Sequence, residues 1–328
     1  MLDSSSSPSR TARPREGASN WLRASNGLGA VAIACLLLVH PTPASAKVQV
    51  VATLPDLAAL AEAVGGDLVE VTALAKPNQD PHYVDGRPSF LIPLSRADLL
   101  LVNGLDLEVG WLPPLLTNAR NAKIMPGASG YLDGSLVIHR LEVPNSRIDR
   151  AMGDIHPGGN PHYLYDPRAG LLVAEAIAER LSTIDRDHEA LYRTQLAAFS
   201  KALTEVSDAA MRKFAELPEA KRQLVVYHQS LVYLFDWLGL KEIAALEPKP
   251  GIAPNPSHVA DVLATMRKAG ARVIIQEEFY PRRLSDTLAK MTHGEIVNLR
   301  GGARFEEGET YVQRIERSSE ALYHALSQ

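Results

Sequence analysis

The chain has 328 residues, which is enough for two domains of ordinary size. Hydrophobic residues make up 46% of it and charged residues 22%, so the composition excludes both a disordered chain and a fibrous repeat. The net charge of −4 argues against nucleic acid as the main partner, and the single cysteine excludes an intramolecular disulfide and a thiolate zinc cluster, whereas ten histidines are available as ligands.

Residues 1–46 have the pattern of a secretory signal peptide. Four arginines precede an uncharged apolar run from Leu28 to Val39, which is too short to span a membrane. Ala44-Ser45-Ala46 then matches a small-residue cleavage site, and cleavage there would remove the only cysteine, Cys35. We therefore expect a soluble protein exported to the periplasm. The alternative is a short N-terminal anchor that stays uncleaved.

Strands alternate with short helices in the part of the chain that follows. We predict strands at 48–52, 68–74 and 99–102, and a helix over 57–64 that stops at Gly65-Gly66. Buried strands that alternate with helices form a parallel sheet with helices on its faces, so residues 47–165 are expected to form an N-terminal α/β lobe. The turn-rich stretch 127–160 is expected to be a loop with one strand near Leu136–His139.

A different pattern begins at Asp166-Pro167, an Asp cap with proline at the first helical position. Residues 166–217 contain almost no helix breakers, which predicts one or two long linking helices with an interruption near Thr183–Asp187. After Pro218 the alternation resumes, so residues 218–328 are expected to form a C-terminal α/β lobe. Its predicted strands are 224–227, 273–275 and 296–297, and its predicted helices are 231–238, 259–269, 284–291 and 311–326.

Side chains that bind metals follow the ends of several predicted strands. His82 lies in the loop after the second strand, His162 just before the linking helix, His228 at the end of the strand 224–227, and Glu277 and Glu278 at the end of the strand 273–275. Ligands of open parallel sheets collect beyond the carboxyl ends of the strands, so these groups would meet between the lobes. Three imidazoles and one carboxylate suit a tetrahedral zinc ion. No local motif supports this set, and ordinary polar loop residues remain the alternative.

The sequence predicts no central metal-binding role for the other histidines of the exported chain. His139 and His156 lie in the loop before His162 and could assist metal delivery. Three further histidines fall in predicted helical stretches and are interpreted as surface or capping residues: His188, His258 and His324.

Three motifs frame the candidate histidines. They are Asp80-Pro81-His82 with the segment 97–108 that follows it, Asn160-Pro161-His162 running into Asp166-Pro167, and Val226-Tyr227-His228-Gln229. With these motifs, residues 47–328 resemble the periplasmic metal-binding proteins of ABC transporters that import zinc or manganese. The resemblance implies two α/β lobes, each with a mostly parallel sheet flanked by helices, joined by one long rigid helix. It also implies that His82, His162 and His228 bind a metal between the lobes.

The resemblance favours zinc as the metal. Manganese-selective members usually carry a glutamate at the third position, where this chain has His228, and nitrogen-rich sites suit zinc better than manganese. Members commonly place an aspartate near the last strand, where this chain has Asn298. The fourth ligand is then water, Glu278 or Glu277, and we favour Glu277 because the family commonly carries a glutamate there.

The resemblance thus implies a monomeric binding protein that captures Zn²⁺ and delivers it to an inner-membrane ABC permease without covalent chemistry. A manganese-binding component of the same type of transporter is the first alternative. A periplasmic zinc hydrolase is the second, because three histidines and an open position also describe a catalytic zinc, with Glu278 as the available base.

Overall fold

The computed structural model describes residues 46–145 and 153–328. The predicted signal peptide, with Cys35 and the cleavage site before Ala46, lies outside the described residues. Within the described part of the chain, no helix combines the length and the apolar character that a bilayer span requires.

The N-terminal lobe contains a four-stranded parallel sheet in the order β2-β1-β3-β4. Its central strand β3 is buried along its whole length, as expected for a strand covered on both faces. The strands are β1 (Val48–Ala52), β2 (Val69–Ala73), β3 (Leu99–Val102) and β4 (Tyr131–Asp133). The helices are α1 (Pro55–Gly65), α2 (Leu91–Arg96) and α3 (Leu112–Ala119).

Two helices occupy the predicted linking region. They are α4 (Pro167–Ile184) and the 27-residue α5 (Glu189–Ala215). The Asp166 side chain caps α4 by accepting a hydrogen bond from the Arg168 backbone N–H at 2.8 Å, as its sequence position predicts. A 3₁₀ turn at Arg186–His188 separates the helices and overlaps the predicted interruption at Thr183–Asp187.

The C-terminal lobe repeats the plan with a parallel sheet in the order β6-β5-β7-β8. Its strands are β5 (Gln223–Val226), β6 (Lys241–Ala245), β7 (Val273–Glu277) and β8 (Glu295–Leu299). Its helices are α6 (Val232–Leu238), α7 (Pro256–Ala269), α8 (Arg282–Thr292) and α9 (Tyr311–Ser327). The predicted fold class, two α/β lobes with parallel sheets, is confirmed.

One strand was predicted at the wrong place. The strand of the turn-rich stretch is β4 at Tyr131–Asp133, and the expected strand near Leu136–His139 is absent because the Asp133 side chain caps a 3₁₀ turn at Gly134–Leu136. Helices α2 and α3 and strand β6 were not predicted. The boundaries at residues 165 and 217 stay a prediction.

A buried ion pair joins the start of α1 to α9. The Arg314 guanidinium lies 3.1 Å from the Asp56 carboxylate, and both side chains are less than 5% exposed. Asp56 also accepts a hydrogen bond from the Ala303 backbone, and Arg314 donates to the Leu164 carbonyl and stacks 4.4 Å from the Tyr165 ring. This cluster connects the first helix, the segment before α4 and the last helix.

Removing one partner of this pair should destabilise the protein strongly. The Asp56→Ala substitution leaves the Arg314 charge buried without compensation, so we expect a loss of about 3–5 kcal/mol in the free energy of unfolding, measured by urea denaturation. Asp286→Ala is the matched control, since it breaks an exposed pair with Arg282 on α8 and should cost about 0.5 kcal/mol or less. Equal losses in the two variants would contradict a structural role for the buried pair.

Candidate metal centre

The structure brings the three predicted histidines together. His82 lies in a 3₁₀ turn after β2, His162 directly precedes the turn that leads into α4, and His228 follows β5. Their ring centroids lie 5.1 Å (His82–His162), 5.8 Å (His82–His228) and 5.7 Å (His162–His228) apart. One ring nitrogen of each lies within 4.8 Å of the other two. We call these three residues the histidine cluster.

Asp80 orients the His82 ring. Its carboxylate lies 2.8 Å from His82 Nδ1 and also accepts the His82 backbone N–H at 3.0 Å. Burial raises the pKa of Asp80, but the bonds from His82 outweigh this effect and bring the pKa below its usual value. An ionised carboxylate only accepts hydrogen bonds, so Nδ1 carries the proton and Nε2 keeps its lone pair.

Glu247 orients the His228 ring in the same way. The Glu247 Oε2 atom lies 2.7 Å from His228 Nδ1, with both side chains less than 10% exposed, and it also accepts the Gly251 backbone N–H at 2.8 Å. Burial lowers the pKa of His228, but the bond to Glu247 and its charge raise the pKa above its usual value. Sequence reasoning missed Glu247, because it follows β6, a strand that was not predicted.

His162 differs from the other two because its Nε2 atom is buried and has no hydrogen-bond partner among the described residues. Burial, followed by the charges of His82, His228 and His156, lowers the pKa of His162 well below its usual value. The ring is therefore neutral near pH 7. Burying a ring nitrogen without a hydrogen-bond partner costs free energy, and in the tautomer that carries its lone pair on Nε2 a bound cation would remove this cost.

Asn160 fixes the distance between the loops that carry His162 and His228. Its Oδ1 accepts the His162 backbone N–H at 3.0 Å, while its Nδ2 donates to the Gln229 carbonyl at 2.8 Å. The Tyr233 hydroxyl donates to the Asn160 carbonyl at 2.9 Å. Because Gln229 follows His228 directly, one side chain holds histidine loops from both lobes.

Glu277 ends β7 and is 2% exposed. Its carboxylate accepts hydrogen bonds from the Ser230 hydroxyl and from the Tyr165 hydroxyl, the latter at 3.4 Å. Burial raises the pKa of Glu277, and the bond from Ser230 and the charge of His228 oppose this only in part. Glu277 is not among the residues whose ligand atoms lie within 4.8 Å of one another.

The other fourth-ligand candidates lie in different surroundings. Glu278 is exposed and pairs with Arg300 Nε at 3.4 Å. Asn298 lies in β8 opposite Gln276, and its buried Oδ1 has no hydrogen-bond partner in the described structure.

His156 lies beside the cluster although the sequence indicated only an auxiliary role. Its Nε2 atom is 3.2 Å from His82 Nε2. Burial and then the charge of His82 lower the pKa of His156 to about 4, so this ring is also neutral near pH 7.

A cavity of about 350 Å³ is lined by His156, His162 and His228. His139, the other histidine of this loop, is exposed.

Comparison with known proteins gives a consistent result. Residues 50–325 match the family model of ZnuA, the periplasmic component A of the zinc-uptake complex. The metal ABC transporter substrate-binding lipoprotein SsaB of Streptococcus sanguinis is 26% identical over 301 residues, covering 90% of this chain and 94% of that protein. The manganese ABC transporter substrate-binding lipoprotein ScaA of Streptococcus gordonii is 25% identical over 290 residues, covering 86% and 90%. A crystal structure of ZnuA shares the fold with a TM-score of 0.73 at 23% identity, covering 86% of this chain and 100% of that chain.

In the metal-free protein, the pKa of His162 should lie below the usual histidine value of 6.5, and the pKa of His228 should lie above it. We expect His162 to stay neutral well below pH 6.5 because it is buried among other imidazoles, and His228 to keep its proton above pH 6.5 because of Glu247. NMR of the ring nitrogens as a function of pH measures both. Coincident midpoints for the two rings would contradict the described environments.

Proposed function

Because the chain belongs to the ZnuA family, we propose that it captures Zn²⁺ between its lobes and delivers it to an inner-membrane permease. The chain is the substrate-binding component of a metal ABC transporter and not an enzyme, and a membrane permease and a metal ion are its partners. The resemblance found in the sequence is therefore confirmed, and the hydrolase alternative is excluded. We further propose that the protein is exported by its predicted signal peptide and acts in the periplasm as a monomer.

The observation that carries the proposal is the arrangement of the three imidazoles. His82 and His228 each have Nδ1 bound to a carboxylate, and His162 has a buried Nε2 without a partner. Imidazoles that donate one ring N–H to a carboxylate and bind through the other nitrogen are typical zinc ligands. We therefore propose His82, His162 and His228 as the nitrogen ligands of the transported ion.

The chemistry of the ligands favours zinc over manganese. Zinc prefers nitrogen and sulfur ligands, while manganese is better matched by carboxylates and carbonyl oxygens. ScaA is named a manganese transporter component, so manganese is the second candidate. Three imidazoles at the centre support zinc as the first.

Glu277 stays our proposed fourth ligand. It is buried and interacts electrostatically with His228, so its negative charge would offset part of the charge of the ion. To bind the ion, its carboxylate would exchange the hydrogen bond from Ser230 for the metal. Burial raises the pKa of Glu277, and a cation bound beside the carboxylate would favour its ionised form.

Titration calorimetry with the metal-free protein tests the function. Wild-type protein should bind one Zn²⁺ and should prefer Zn²⁺ to Mn²⁺ in competition. His228→Ala should weaken zinc binding by more than about 100-fold, because losing a ligand costs more than losing one of its hydrogen-bond partners. His324→Ala changes an exposed residue of α9 and serves as the control with unchanged affinity. A wild-type protein that takes up no zinc, or an unchanged affinity in His228→Ala, would contradict the proposal.

The same titration distinguishes the fourth ligand. Glu277→Gln keeps the hydrogen bond with Ser230 possible but removes the charge, so it should weaken zinc binding by about tenfold or more if the carboxylate contacts the ion. Affinity equal to wild type would remove Glu277 from the coordination shell and leave the three histidines in place.

A further inference from the structure

The Nε2 atoms of His156 and His82 lie within hydrogen-bond distance of each other, which is also close to the distance between two nitrogen ligands of one ion. The Nε2 atoms are 3.2 Å apart and the ring centroids 5.3 Å apart. With zinc–nitrogen bonds of about 2.0–2.1 Å, two nitrogens of a tetrahedral site lie about 3.3–3.4 Å from each other. The separation of this pair therefore fits a shared cation, while the group whose ligand atoms all lie within 4.8 Å of one another contains His82, His162 and His228 without His156, so His156 has to move toward the other two rings to join them.

The segment that carries His156 is held from both lobes. The Tyr83 hydroxyl, next to His82, donates to the Asp154 carboxylate at 2.7 Å. The Asp154 backbone N–H donates to the Pro250 carbonyl at 2.9 Å. Residues 153–156 thus lie between the loop of His82 and the loop that contains Pro250.

Close backbone packing restricts this segment further. Gly153 and Gly251 both have positive φ angles, +84° and +74°. A side chain at Gly153 would collide with the Pro250 carbonyl, and one at Gly251 would collide with the Asp154 carboxylate. Both positions therefore require glycine for conformation and for space.

The loop that contains Pro250 and Gly251 also contacts Glu247, the hydrogen-bond partner of His228. Glu247 Oε2 accepts hydrogen bonds from both His228 Nδ1 and the Gly251 backbone N–H. The position of His156 is therefore connected to the His228 side of the cluster through Gly251 and to the His82 side through Tyr83. These contacts hold His156 in place at the cluster, which is what a metal ligand on a loop requires.

We propose that His156 is a further imidazole ligand of the transported ion, contributed by segment 153–156. The inference rests on the proposed function and extends its ligand set. With Glu277 bound as well, the ion would have five protein ligands, one more than a closed tetrahedral zinc site. A fourth imidazole makes the centre richer in nitrogen and so strengthens the preference for zinc over manganese.

Two measurements on full-length metal-free protein reloaded with Zn²⁺ test this role. In calorimetry, His156→Ala should weaken zinc binding by about tenfold or more and change manganese binding much less. In zinc X-ray absorption, the number of imidazoles on the ion should fall from four in wild type to three in the variant. His139→Ala, an exposed histidine of the same loop, should leave both readouts unchanged.

A second variant separates ligation from the structure of the loop. Tyr83→Phe removes the hydrogen bond to Asp154 and leaves the His156 ring, so it should retain four imidazoles on the ion. Three imidazoles in both wild type and His156→Ala, with equal zinc affinity, would overturn the role of His156 while the proposed function stands. Failure of wild type to bind zinc would instead overturn the proposed function.

Discussion

The metal centre depends on one constraint. In each of two histidines, one ring nitrogen is hydrogen-bonded to a buried or half-buried carboxylate. Asp80 binds Nδ1 of His82, and Glu247 binds Nδ1 of His228, so in both rings only Nε2 remains for a cation. The third ring, His162, brings a buried Nε2 without a partner. The buried His162 Nε2 atom is thus left without a hydrogen bond beside the other two rings, and this cost favours binding of an ion there.

The fold meets this constraint by using both lobes. His82 belongs to the N-terminal lobe and His228 to the C-terminal lobe, and His162 stands where the chain enters the linking helices. Asn160 bonds the His162 backbone and the Gln229 carbonyl, so the histidine loops are connected before any ion arrives. The buried pair of Asp56 and Arg314 also joins α1 of the N-terminal lobe to α9 of the C-terminal lobe.

Local signals in the sequence predicted most of the fold and the three central histidines. Apolar runs located six of the eight described strands to within a few residues, and the Asp166-Pro167 cap located α4. Strand β4 was predicted in the wrong place. Strand β6 was missed because its residues are partly exposed and include Lys241 and Glu242, so they form no apolar run. Glu247 was missed with it, and the contact of His156 with His82 could not be predicted, because it joins residues 74 positions apart.

A crystal structure of the zinc-loaded protein, with anomalous scattering recorded on both sides of the zinc absorption edge, tests the central claim most directly. The account predicts one strong zinc peak within bonding distance of Nε2 of His82, His162 and His228, with Asp80 and Glu247 still bound to the opposite ring nitrogens. A zinc peak elsewhere, or a bound ion that leaves His162 Nε2 without contact, would contradict it.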